Sequence, residues 1–146
     1  MSVKPISHPI LQVIFGTSTL VSAVLRPGSI PDRALLKALR TCDVCASLET
    51  LAELELVLGR EKFDRYQDRE FRLAFVALIR RTVRLFAVTD ADSALVDPPC
   101  RDSKDDKFLA LALVADADLL VCSDEDLLVL HPWRGVRIVA PAEFLA

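Results

Sequence analysis

Leu11-Gln12-Val13-Ile14-Phe15-Gly16-Thr17-Ser18-Thr19-Leu20-Val21-Ser22-Ala23 changes its hydrophobic rhythm at Gly16. Before the glycine the run is short, apolar and β-branched with little alternation, the pattern of a strand buried on both faces. After it, Thr17 or Ser18 is placed to cap a helix whose Leu20, Val21, Val24 and Leu25 form a buried stripe, until Pro27-Gly28 stops it. A buried strand that runs straight through a turn into a helix is the opening unit of a parallel α/β fold.

The same alternation continues downstream. Pro31-Asp32 opens a helix with Leu35, Leu36 and Leu39 toward the core and Arg33, Lys37 and Arg40 in solvent. Val44-Cys45-Ala46 reads as a strand, and Ser47 as the cap of a helix that carries Leu48, Leu51, Leu54 and Leu58 and ends near Gly59. Three- and four-residue spacing predicts a longer helix from about 68 to 86, burying Phe71, Phe75, Leu78, Ile79, Thr82 and Leu85, with a basic opposite face. Asp97-Pro98-Pro99 excludes helix and marks a loop. A helix from Asp102 to about Ala115 follows, then a strand over 119–122, the acidic turn Ser123-Asp124-Glu125-Asp126, and a last strand over 136–139 before Pro141. Residues 1–10 read as an N-terminal extension and 11–146 as the domain. The pattern predicts a three-layer α/β/α, Rossmann-like domain with a mainly parallel sheet, whose functional crevice lies outside the carboxyl ends of the strands.

Composition narrows the function classes. With 146 residues and 52% hydrophobic content the chain can bury one sizeable core. Its apolar runs are cut by arginine, which argues against a membrane span and for a soluble cytoplasmic protein. The four cysteines, Cys42, Cys45, Cys100 and Cys122, read as free, partly buried thiols, since so apolar a domain needs no covalent staples. Cys42 and Cys45 form a C-x-x-C, but no second pair follows, only His8 and His131 offer imidazole, and the motif falls in a strand rather than at a helix start. A net charge of −3 leaves nucleic-acid binding to a local basic patch. The four glycines are scattered, so there is no glycine-rich phosphate loop.

Acidic residues gather just beyond the expected strand ends: Glu53, the group Asp102, Asp105 and Asp106, and the pair Asp124 and Asp126. If carboxylates from separate segments converge, their mutual repulsion calls for a divalent cation, Mg²⁺ or Mn²⁺, between them. Such an ion activates water and steadies a phosphodiester leaving group. The aspartates also have plain local explanations. Asp102 suits an N-cap, Asp105 and Asp106 suit the positive end of a helix, and Asp124 and Asp126 suit an exposed turn.

The segment 13–23 resembles the opening strand and helix of PIN domains, where an apolar run is followed by Asp-Thr-Asn. Ser47-Leu48-Glu49-Thr50-Leu51-Ala52-Glu53-Leu54 is similar to the second motif of that family, with the acidic ligand at Glu53; periodicity alone does not choose Glu53 over Glu55. Cys100-Arg101-Asp102-Ser103-Lys104-Asp105-Asp106-Lys107-Phe108-Leu109-Ala110 resembles the third motif, with the ligand at Asp105. Ala117-Asp118-Leu119-Leu120-Val121-Cys122-Ser123-Asp124-Glu125-Asp126 resembles the fourth, with Asp124 at the acidic position and Asp126 beside it. The likeness runs from about Leu11 to the end, and the subgroup is that of toxin components of bacterial toxin–antitoxin pairs. It implies Mg²⁺- or Mn²⁺-dependent endonucleolytic cleavage of RNA, restraint by a small antitoxin protein, and commonly homodimerisation. In that reading Glu53, Asp105 and Asp124 are catalytic, Asp126 is a further metal ligand, and Thr17, Ser18 and Asp102 support the site.

Three positions depart from the family pattern. Gly16 stands at the first acidic position, Ser18 replaces the asparagine, and Cys122 replaces a threonine. Glycine offers no atom to coordinate a metal, so the expectation is weakened or absent catalysis on an intact fold. The alternative is a non-catalytic PIN-like module that binds protein or RNA. For RNA, Arg72, Arg80 and Arg84 are the leading candidates, with Arg69 and Arg81 on the same helix and Arg60, Lys62 and Arg65 before it; an ordinary wet helix face is the better explanation for most of them.

Overall fold

A computed structural model describes residues 10–146. Most of the expected N-terminal extension, and His8 with it, lies outside the described residues. The elements are β1 (Gln12–Phe15), α1 (Thr17–Leu25), α2 (Ile30–Thr41), β2 (Asp43–Ser47), α3 (Leu48–Leu58), α4 (Arg69–Thr82), β3 (Arg84–Phe86), α5 (Asp90–Ser93), α6 (Asp106–Ala115), β4 (Leu119–Val121), α7 (Glu125–Leu128), β5 (Arg137–Val139) and α8 (Pro141–Leu145). Single 3₁₀ turns occupy Glu61–Phe63 and Ser103–Asp105.

Among the described residues the five strands are all parallel, in the order β3-β2-β1-β4-β5. Alternation along each strand divides the core in two. Val13, Phe15, Val44, Ala46, Leu119 and Val121 face a cluster built with α1, α2, α3 and α4. Ile14, Cys45, Leu120, Cys122 and Ile138 face a second cluster built with α6, Leu127 and Trp133. Burial on both faces is why the strands lack the polar alternation of a half-exposed sheet. The three-layer, parallel α/β architecture expected from the sequence is the one observed.

Local signals account for the starts of α2 and α3, whereas the cap expected from Thr17 or Ser18 is not formed: Gly16 is the N-cap of α1 with no side-chain cap, and the Thr17 hydroxyl turns to Glu53 instead. Ser29 and Ser47 cap α2 and α3 by accepting hydrogen bonds from the backbone N–H groups of Asp32 and Thr50. Asp116 closes α6 in the left-handed conformation (φ 50°) that aspartate tolerates. All four cysteines are free, and burial pushes the Cys45 thiol up to about 11, so the C-x-x-C is neither a disulfide nor a reactive pair. None of the described helices is long and apolar enough to cross a membrane.

Helix α4 departs from expectation in length and in orientation. It ends at Thr82, and Arg84–Phe86 instead forms the edge strand β3, so the predicted run to 86 was too long. Its buried residues are Arg72, Val76 and Ile79, whereas Phe71, Leu78, Thr82 and Leu85 are exposed and Phe75 is half-buried. Arg72, expected as a surface contact for RNA, is wholly buried. Its guanidinium donates to the carbonyls of Leu58, Arg60 and Gln67 and pairs with Asp64. The carbonyl at the end of α3 has no partner within its own helix, and the five fixed donors of arginine satisfy several such acceptors at once. Turning Arg72 inward rotates the phenylalanine stripe out, which leaves an apolar groove lined by Phe71, Ala74, Phe75 and Leu78.

Candidate functional site

β1 has β2 on one side and β4 on the other; the chain runs outward from β1 through β2 to β3 and then crosses back to β4 and β5, so the order reverses between β1 and β4, the switch point of the sheet. The segments leaving these strands meet there. Gly16, Thr17 and Ser18 follow β1, Glu53 comes from α3 behind β2, Asp105 precedes α6, and Cys122 and Asp124 follow β4. Together with Val57 and Leu127 they line one cavity of about 230 Å³.

Each acid is held differently. Thr17 Oγ1 donates to Glu53 Oε2 at 2.6 Å, and Lys107 Nζ lies 3.2 Å from Glu53 Oε1. Asp124 caps α7, its Oδ1 accepting from the Asp126 backbone N–H at 2.8 Å. Asp105 Oδ2 is buried with no hydrogen-bond partner among the described residues. Burial first, then the adjacent Asp124 carboxyl, and more weakly Asp102 and Glu53, raise the Asp105 pKa from 3.8 to about 7. Burial pushes the Cys122 thiol up to about 12, so at neutral pH it packs as a neutral group in the cavity wall.

Other candidates fall outside this arrangement. Asp126 does not line the cavity and contributes its backbone N–H; Asp102 is exposed and accepts from the Lys104 N–H at the head of the 3₁₀ turn. Asp106 accepts from the Cys100 N–H at 2.7 Å, and Glu55 is exposed on α3. Arg84 hydrogen-bonds Gln12 and lies 3.6 Å from Asp43, both at the amino ends of β1 and β2, the opposite edge of the sheet from the cavity. Arg80 is exposed on α4. Lys107 was not singled out from the sequence, although a lysine directly after two aspartates in a helix's first turn is the signal that would have found it.

An all-oxygen set with an orphaned buried carboxylate oxygen fits a hard divalent cation in kind. Among the described residues, no three His, Cys, Asp or Glu side chains are gathered tightly enough to hold an ion as they stand.

The raised pKa of Asp105 has a thermodynamic sign. Between pH 3.8 and about 7 the folded chain keeps a proton that the unfolded chain releases, so stability falls as pH rises through that window, and the full cost is present above it. After discounting for partial exposure, Asp105→Asn is expected to stabilise the metal-free chain by about 1–2 kcal/mol at pH 8 and by almost nothing near pH 4. Urea unfolding at the two pH values checks this; an equal effect at both would refute the assignment.

The family model for the PIN domain matches residues 12–126, from the first residue of β1 into α7. A search of curated proteins finds no match to the sequence. Among solved structures, the chain is similar to VapC20 of Mycobacterium tuberculosis, described as a sarcin–ricin-loop-cleaving toxin, with 18% identity, TM-score 0.57, and 86% of this chain and 98% of that one covered. It is also similar to VapBC2 of Rickettsia felis bound to a promoter DNA fragment, with 12% identity, TM-score 0.62, and 89% and 98% covered. A third similar structure is PAE2754 of Pyrobaculum aerophilum, with 11% identity, TM-score 0.56, and 99% and 96% covered. At such identities the structures speak for the fold alone, and the family model, spanning the segments that build the cavity, carries the conclusion that the chain belongs to the PIN-domain family.

Proposed function

We propose that this chain is a Mg²⁺- or Mn²⁺-dependent endoribonuclease of the toxin kind, weakened by the glycine at its first acidic position. The observation that carries the reading is that Glu53, Asp105 and Asp124, from three separate segments, line one cavity, in which an Asp105 oxygen is buried without a partner. These three side chains would hold the metal, with Asp126 and Asp102 outside the cavity. When bound, the ion would activate water and stabilise the leaving oxygen of a phosphodiester.

The chain's own residues have distinct tasks. The Thr17 hydroxyl fixes the Glu53 carboxylate in place, and Asp124 is oriented by capping α7. Asp105, whose buried oxygen has no partner among the described residues, would present its ionised carboxylate to the ion. Val57 and Leu127 give the cavity an apolar wall, which strengthens the field felt inside it. Of the three leading arginines Arg80 remains for RNA contact, with Arg69 and Arg81 also exposed on α4. Partners follow from the resemblance and from α4: a small antitoxin protein or a second copy of the chain would cover the groove formed by Phe71, Ala74, Phe75 and Leu78 in the cytoplasm.

Incubation with single-stranded RNA and Mn²⁺ tests this directly. Cleavage by the natural chain is expected to fall at least about a hundredfold in each of Glu53→Gln, Asp105→Asn and Asp124→Asn. Equal background cleavage by all four proteins would remove the proposal. A second reading, a non-catalytic PIN-like binding module, is favoured by Gly16, which supplies no ligand atom, and by the occupation of Glu53 by Lys107. It predicts no cleavage by the natural chain.

A further inference from the structure

Lys107 lies in the first turn of α6, beside Asp105 and Asp106, and reaches across the cavity's edge to α3. Its Nζ is 3.2 Å from Glu53 Oε1, while Glu53 Oε2 accepts from Thr17. Both oxygens of the carboxylate are therefore engaged by the chain itself. The two side chains of the ion pair are 27% and 26% exposed, so the pair is partly withdrawn from water, where opposite charges at this distance attract more strongly than at an open surface.

A dication placed on Glu53 meets the ammonium on the same carboxylate. Two cations sharing one anion repel each other, so the metal either displaces the lysine or binds with its pull on Glu53 diminished. The lysine holds an advantage, because it is tethered next to its partner and loses no translational freedom on pairing. The loss of a carboxylate at Gly16 adds to that advantage by lowering the negative charge available to a divalent ion.

We propose that Lys107 is a built-in counter-cation that competes with the divalent ion for Glu53 and so sets the metal concentration at which the site fills. This rests on reading Glu53, Asp105 and Asp124 as the metal-holding set. Lys107 is thus a positioning residue: it holds Glu53 in the metal-free chain and opposes the hold of that carboxylate on an ion.

The test is a titration of the intact chain with Mn²⁺, with free ion read by electron paramagnetic resonance and folding followed by circular dichroism. Lys107→Met and Lys107→Gln are expected to tighten Mn²⁺ binding about tenfold, and Lys107→Arg, which keeps the charge, to leave it near that of the natural chain. In a Glu53→Gln background the gain from Lys107→Met is expected to vanish, since the two cations then have no carboxylate to contest. If Lys107→Met and Lys107→Gln bind no more tightly than the natural chain while Glu53→Gln weakens binding, the competition is overturned and the metal reading survives. If none of the proteins, the lysine variants included, binds Mn²⁺ saturably, both fall together.

Discussion

Arg72→Met is expected to destabilise the chain by about 3 kcal/mol or more, whereas Arg80→Met, about two turns further along the same helix, should change stability by less than about 0.5 kcal/mol. Both residues carry the same charge on α4, and only their surroundings differ. Arg72 is fully buried, and its guanidinium supplies hydrogens to the carbonyls of Leu58, Arg60 and Gln67 and to the Asp64 carboxylate. Methionine fills much of the same volume but donates nothing, so the change isolates the polar cost from a packing cost. The Leu58 carbonyl, at the end of α3, would be left buried and unpaired, and each such acceptor costs about 1–3 kcal/mol. Because the same arginine joins the end of α3 to α4, its loss should also loosen the α3 platform that carries Glu53. Urea unfolding of the two variants side by side decides the matter. Similar midpoints for both would mean that the guanidinium holds nothing together and that Arg72 belongs with the surface arginines after all.

That arginine also marks where sequence reading fails. Helical periodicity on α4 offers two stripes, Phe71-Phe75-Leu78 and Arg72-Val76-Ile79; hydrophobicity selects the first together with Ile79, of which only Ile79 is fully buried. The second is buried because a cation acceptable to the interior was available, and the need for it arises from carbonyls on another helix, which no local window contains. The same local logic carried the predicted helix through to 86, where Leu85 keeps the spacing. Backbone pairing with β2 instead draws Arg84–Phe86 into the sheet, and its partners Cys45, Ala46 and Ser47 lie some forty residues away. By contrast β1 and α1 were legible, since the change of rhythm at Gly16 is local chemistry, although the expected cap was not: Gly16 is the N-cap and no side chain caps the helix. The strand order was not, because register between parallel strands depends on crossovers rather than on turns. For the acidic cluster, spacing left Glu53 and Glu55 equivalent, and the resemblance to PIN domains made the choice. In the fold Glu53 lines the cavity with Val57, one turn further on, while Glu55 is exposed.

Gly16→Asp is expected to raise Mn²⁺-dependent RNA cleavage by roughly a hundredfold, the size of effect that goes with a metal placed about 1 Å more accurately. Glycine is not demanded here by the backbone, whose φ of −66° and ψ of 153° suit any residue, so what its absence of a side chain allows is space. That space has been partly taken up. A Cβ at residue 16 would lie 3.0 Å from Cys122 Cβ, and the two segments are tied by the Gly16 N–H donating to the Val121 carbonyl at 2.9 Å. An aspartate must therefore push the ends of β1 and β4 apart by a few tenths of an ångström, at a cost of about 1–3 kcal/mol in the metal-free chain. A fourth carboxylate in the cavity adds repulsion to that strain, and a bound cation relieves the repulsion. The variant should thus melt lower than the natural chain in chelator and recover a larger share of its stability when Mn²⁺ is added. Rate and melting together separate the alternatives. A folded Gly16→Asp protein with unchanged cleavage and no greater stabilisation by Mn²⁺ would show that residue 16 is not the vacated position of a metal ligand. A gain in both would mean that the remaining carboxylates still stand where a nuclease requires them.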